Sequence, residues 1–184
     1  MSLYYPTSSC GESGVIPDYS CNPCPSYEFG RVGSIAFIKN SFTFTDPTVS
    51  SQWVTGITAK DIIVVWKTQG SYDGGVTAEL PGYGRSFSEN GNTTHTLNFK
   101  DPNYIENWDF YNGIKGSSEY TIAFCTSTQV HLAGAPVTIT PKNPIQEDIN
   151  SVVVWDVQAK WTNSSPPRPY NQPSGIFDTC YIVA

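Results

Sequence analysis

The sequence is short of charge. Asp, Glu, Lys and Arg make up 14% of its 184 residues, against roughly 25% in a typical soluble domain. It is also short of histidine, with two, which leaves little material for a general base. His95 sits in "TTHTLNF", sharing one face of an alternating run with Leu97 and Phe99, and reads as a strand residue. His131, in "TQVHLAG", ends a strand without a companion acid or thiol motif. G-x-S-x-G, H-E-x-x-H, a Walker loop and G-x-G-x-x-G are all missing, so no nucleophile elbow, zinc-protease helix or phosphate cradle is written into the chain. "PGYGRS" places two glycines near an arginine, but no helical pattern follows to make an anion cradle.

Long apolar runs are missing too. The longest are "IIVVW" and "VVVW", far below the roughly 20 residues a membrane helix needs. No basic cluster occurs, and 16 acids against 10 bases give a net charge of −6. That balance argues against affinity for a phosphate backbone. The opening "MSLYYPTSSCGESG" has neither a positive n-region nor an apolar h-region, so the expectation is a chain that begins life in a cytoplasm. The sequons at Asn92 and Asn163 are chance matches in a chain rich in Asn, Ser and Thr.

What the chain does have is apolar and aromatic residues, 39% and 14%, enough for a packed core. A surface poor in charge and rich in Tyr, Asn, Ser and Thr reads as one that becomes interface; a plain acidic soluble surface is the alternative. Five cysteines stand at 10, 21, 24, 125 and 180. Cys10, Cys21, Cys24 and Cys180 can supply four thiolates to one structural zinc. The competing reading is unpaired thiols in loops, and it is the preferred one for Cys125 in the apolar run "YTIAFC". Redox chemistry at the C-x-x-C is disfavoured, because Pro23 and Pro25 flank Cys24 and no helical pattern follows.

Residues 1–31, rich in Pro, Gly, Ser and Cys, read as an N-terminal arm, 32–161 as a β domain, and the Pro-rich 162–184 as a C-terminal arm that Ile176, Phe177, Tyr181, Ile182 and Val183 can anchor. Within the domain, "FTFTDPTVSSQW" (42–53) is echoed by "LNFKDPNYIENW" (97–108): an apolar run, Asp-Pro, and a Trp seven residues after the Asp. Asp46 and Asp101 are expected to cap helices that Pro47 and Pro102 open, with Gly56 and Gly113 ending them. The flanking runs "DIIVVWKTQ" and "EYTIAFCTST" complete two related strand–helix–strand units. "SVVVWDVQAKW" is the clearest strand, and "VTAELPGYGRSFSENGN" a protruding hairpin or loop. Trp53, Trp66, Trp108, Trp155 and Trp161 all fall on apolar faces and are expected in the core. The resulting fold class is α+β, mainly β: an antiparallel sandwich or small barrel of about seven strands, with two short helices and extended arms.

For function, three classes stand side by side. The first is a non-enzymatic assembly subunit. The second is a carbohydrate-binding or adhesin-type sandwich, which would need exposed aromatic faces. The third is a hydrolase with a carboxylate pair assembled in space, for which Glu79, Asp109 and Glu119 have no distinguishing context. "GRVGSIAFIKNSF", "LNFKDPNYIENWDFYNGI" and "VTITPKNPIQEDINSVVVWDVQAKW" resemble structural proteins of tailed bacteriophages of Bacteroidetes, the crAss-like group among them. That resemblance implies a virion component put together in the host cytoplasm: a tail-tube-like or neck subunit forming a ring with copies of itself and meeting other virion proteins. An acidic ring would let DNA pass without holding it. The Cys-rich and Pro-rich arms depart from a tail-tube pattern and leave a capsid-decorating or fibre-associated place open.

Overall fold

The computed structural model describes residues 28, 30–81, 88–145, 147–148 and 150–178. Cys10, Cys21, Cys24 and Cys180, and with them the zinc expectation, lie outside the described residues, as does nearly all of the N-terminal arm.

The order of elements is β1 (Ser34–Lys39), α1 (Ser50–Thr58), β2 (Ile62–Val65), β3 (Gln69–Tyr72), β4 (Val76–Pro81), β5 (Ser88–Asp101), α2 (Trp108–Ile114), β6 (Tyr120–Cys125), β7 (Gln129–Leu132), β8 (Thr138–Lys142), β9 (Trp155–Asn163) and β10 (Arg168–Asn171). Two antiparallel sheets result. One runs β10-β7-β6-β1-β2; the other runs β3-β5-β9-β8, with β4 also paired to β5. The fold is thus a mixed α+β, sandwich-like architecture.

Ten described strands replace the seven expected, because several apolar runs break between sheets. "DIIVVWKTQ" divides at Lys67, which takes φ +57°. Its first half pairs with β1 and the residues after it pair with β5 in the other sheet. Val32 bridges Gly70 across the same corner, tying the sheets together where the chain crosses.

Alternation in the strands decides two cores rather than one. Ile35, Phe37, Ile122 and Phe124 face inward and meet Leu97, Phe99, Val157, Ala159 and Trp161 between the sheets. The alternate residues Ala36, Ile38, Ala123 and Cys125 face outward and are covered by Trp53 and Ile57 of α1 and by Ile176 and Phe177. The outer face of one sheet therefore needs a lid, and α1 with the C-terminal segment supplies it.

That second core changes the reading of the C-terminal arm. β10 pairs in register with β7, the Ser34 hydroxyl donates to the Phe177 carbonyl at 3.1 Å, and Phe177 packs edge-on against Trp53. Residues 162–178 are part of their own domain, not an arm laid on a neighbour, because prolines here shape a covering strap over apolar residues that would otherwise face water.

The twin Asp-Pro junctions are corrected as well. α1 begins at Ser50 with Val49 at its N-cap, and α2 begins at Trp108 with Asn107 there, so Asp46-Pro47 and Asp101-Pro102 do not cap the helices. Each Asp instead closes a turn over its own proline. The Thr48 N–H donates to Asp46 Oδ1 and the Asn103 N–H to Asp101 Oδ1, both at 2.9 Å. After that shared turn the units diverge: the first returns to the same sheet, while the second crosses from β5 to β6 in the other. Gly56 lies inside α1, where a Cβ would come within 2.5 Å of the Ile62 side chain. It permits close packing, and α1 ends beyond it, with Lys60 at φ +59°. α2 runs past Gly113 to Ile114.

Candidate functional site

Three of the five tryptophans expected in the core are there: Trp53, Trp155 and Trp161 are at most 3% exposed. Trp108 is the correction, at 52% exposed, and Trp66 is half-buried. Trp53 sits mid-helix with its Nε1–H donating to the Pro47 carbonyl at 2.8 Å. Trp108 opens a helix that starts three residues later relative to its Asp-Pro, so the same spacing turns its ring outward.

Trp108 has company. The Trp155 Nε1–H donates to the Tyr104 carbonyl at 3.0 Å, the Asn143 amide to the Tyr104 hydroxyl at 3.3 Å, and the Tyr104 and Trp155 rings lie 5.7 Å apart. These contacts draw the turn before α2, the end of β8 and the start of β9 to one end of the sandwich. Ile105, Ile145 and Val152, on those three segments, are 79%, 75% and 74% exposed. Four large apolar side chains thus share one end, with exposed Glu106, Asp109, Glu147 and Asp148 among them. A buried carboxylate ties the turn before α2 to the helix. Asp101, fully buried, accepts from Asn107 at 3.0 Å and from the Tyr111 hydroxyl at 2.9 Å. Burial, then the carboxylate beside it, pushes the Tyr111 hydroxyl far above the usual tyrosine range.

At the other end of β5 stands a ribbon. β9 pairs with β5 from Thr93 to Asp101, but β5 begins at Ser88, and its first residues pair with Glu79, Leu80 and Pro81 of β4 alone. Among the described residues no third strand flanks this stretch. A two-stranded ribbon by itself is marginal in water. Of the hairpin or loop expected from "VTAELPGYGRSFSENGN", the described part is a pair of strands continuing past the end of β9; residues 82–87 lie outside the described residues.

A third feature is a groove of about 580 Å³ on the outer face of the β1-containing sheet, where the lid stops short. Phe42, Phe44, Leu132 and Tyr170 give it an apolar lining, with Asn40 and Asp46 at its margin. Phe42 and Phe44, expected in a strand, lie beyond the end of β1, and the Phe44 ring packs tilted against Trp53 with centroids 4.5 Å apart.

Both histidines pack against aromatic rings. His95 is 1% exposed, bonded through Nδ1 to the Tyr72 hydroxyl at 2.7 Å and stacked on Trp161. His131 stacks on Phe124, and burial holds its pKa below the ordinary histidine value. Cys125 is a buried free thiol whose pKa burial raises. Glu79, Asp109 and Glu119 are exposed on β4, on α2 and before β6; they are not brought together. Among the described residues no cluster of three His, Cys, Asp or Glu side chains is placed to hold a metal, and no helix is long and apolar enough to cross a membrane.

Sequence reasoning missed Glu28, the one described residue before the domain that reaches into it. Its carboxylate accepts from the Thr126 and Thr128 hydroxyls at 2.6 Å each, the Thr128 N–H at 2.7 Å and the Ser127 hydroxyl at 2.9 Å. Those donors, Thr126 first, hold its pKa down at about 2. The run "TST" between two strands was the available signal.

Compared with protein-family models, curated proteins and solved structures, the chain matches none.

Proposed function

We propose that this chain is a non-enzymatic structural subunit of a tailed-bacteriophage virion that assembles with copies of itself into a ring or tube. The observation that carries the assembly reading is the pairing of two exposed features on one strand: a ribbon beyond one end of β5 and an apolar end beyond the other. Large apolar groups grouped on a surface mark contact sites, and an unflanked ribbon gains most by lying on another surface. Features at opposite poles favour head-to-tail contacts, which close into rings or extend as tubes. The virion setting rests on the sequence resemblance. Negative-stain imaging of the purified chain tests the reading, with rings or stacks expected and dispersed single particles at every concentration against it.

The groove favours a second reading, a carbohydrate-binding module. Phe42, Phe44 and Tyr170 could stack on sugar rings while Asn40 and Asp46 accept or donate at hydroxyls. Glycan-array binding lost on Tyr170→Ala would promote it, and an array without signal would retire it.

A further inference from the structure

The apolar end of the sandwich has a specific occupant. We propose that it receives the tip of the β4–β5 ribbon, residues 80–88, from a second copy of the chain; this rests on the assembly reading and names the contact through which it works.

The tip sequence "LPGYGRSFS" holds Leu80, Tyr83 and Phe87, with Arg85 as its one charged residue. The receiving end offers Ile105, Trp108, Ile145 and Val152 among four exposed acids, Glu106, Asp109, Glu147 and Asp148. Apolar meets apolar, and a lone guanidinium meets a ring of carboxylates. Among the described residues the one ion pair joins Lys39 and Asp61, so none of the four acids is held by a cation, although Asp148 Oδ1 accepts from Asn150. Trp and Arg are also the residue types that concentrate binding energy at interfaces.

Reach decides between the chain's own tip and a neighbour's. The tip leaves at Pro81 and returns at Ser88, which are paired partners. A six-residue connection can reach at most roughly 10 Å beyond them. The acceptor lies beyond Asp101, the far end of the 14-residue β5, roughly 40 Å from Ser88 at strand spacing. Its own tip falls short, so the occupant comes from another molecule. Each copy then presents one tip and one acceptor, and the contact repeats head-to-tail.

A photo-crosslinking amino acid placed at Tyr83, in an assembly mixed from ordinary and ¹⁵N-labelled chains, reads the contact directly. Crosslinks between differently labelled chains, landing within 104–109 or 145–152, are expected. Crosslinks within one chain, or to other surfaces of an intact assembly, would overturn the contact while leaving assembly standing. Trp108→Ala and Arg85→Glu should each raise the half-assembly concentration at least about tenfold, with the monomer's unfolding midpoint unchanged. Assembly unaltered in both variants counts against the contact. A wild-type chain that never assembles removes the assembly reading itself.

Discussion

At the scale of single residues, burial separates side chains that the sequence makes look alike. Trp53 and Trp108 share the same offset from Asp-Pro, yet one is fully buried and the other half exposed. Trp53→Ala should therefore cost about 3–5 kcal/mol of stability, and Trp108→Ala less than about 1 kcal/mol, read from urea unfolding midpoints. Glu28 gives a pH signature. Its folded pKa of about 2 lies below the model-peptide value of 4.5. The stabilisation it contributes is complete above pH 4.5 and is lost as pH falls toward 2. Proteolysis before residue 30 should accelerate over that window, and Glu28→Gln should accelerate it at neutral pH and flatten the dependence. A Glu28→Gln chain with wild-type protection throughout would show that the carboxylate tethers nothing.

At the scale of elements, the alternating runs were legible and the junctions were not. "SVVVWDVQAKW" reads as a strand with Val153, Trp155, Val157, Ala159 and Trp161 on one side; the last four are buried, while Val153 precedes the start of β9. Alternation is a local property of the chain, so it survives without knowledge of partners. Asp-Pro is read equally well as a helix cap or as a turn over the proline, and only the start of the helix distinguishes them. The two turns differ in consequence. Asp46 is exposed, and Asp46→Ala should cost clearly less than the same change at Asp101. Asp101→Ala leaves the buried Tyr111 hydroxyl without its acceptor and should cost about 2–4 kcal/mol. Equal losses in denaturant titrations would refute this division. Gly75, at φ +88°, would put a Cβ within 2.5 Å of His95 Nδ1. Gly75→Ala should accordingly lose at least about 2 kcal/mol in the same assay.

At the scale of the molecule, the two strands within "VTAELPGYGRSFSENGN" were legible, although Asn90 and Gly91 lie inside β5, whereas the apolar counterpart at the far pole was not legible. Ile105, Trp108, Ile145 and Val152 are spread over 48 positions of sequence. They share one end only because Tyr104 and Trp155 draw three segments together. The C-terminal strap was hidden for a similar reason: its four prolines read as an arm until a second core appears beneath it. What the fold leaves exposed at its two poles is what another copy of the same chain could cover. Sedimentation velocity of the wild-type chain over a wide concentration range tests that most directly. Species growing well beyond the 20.2 kDa protomer as concentration rises are the predicted result. A single boundary at protomer mass across the whole range would contradict it.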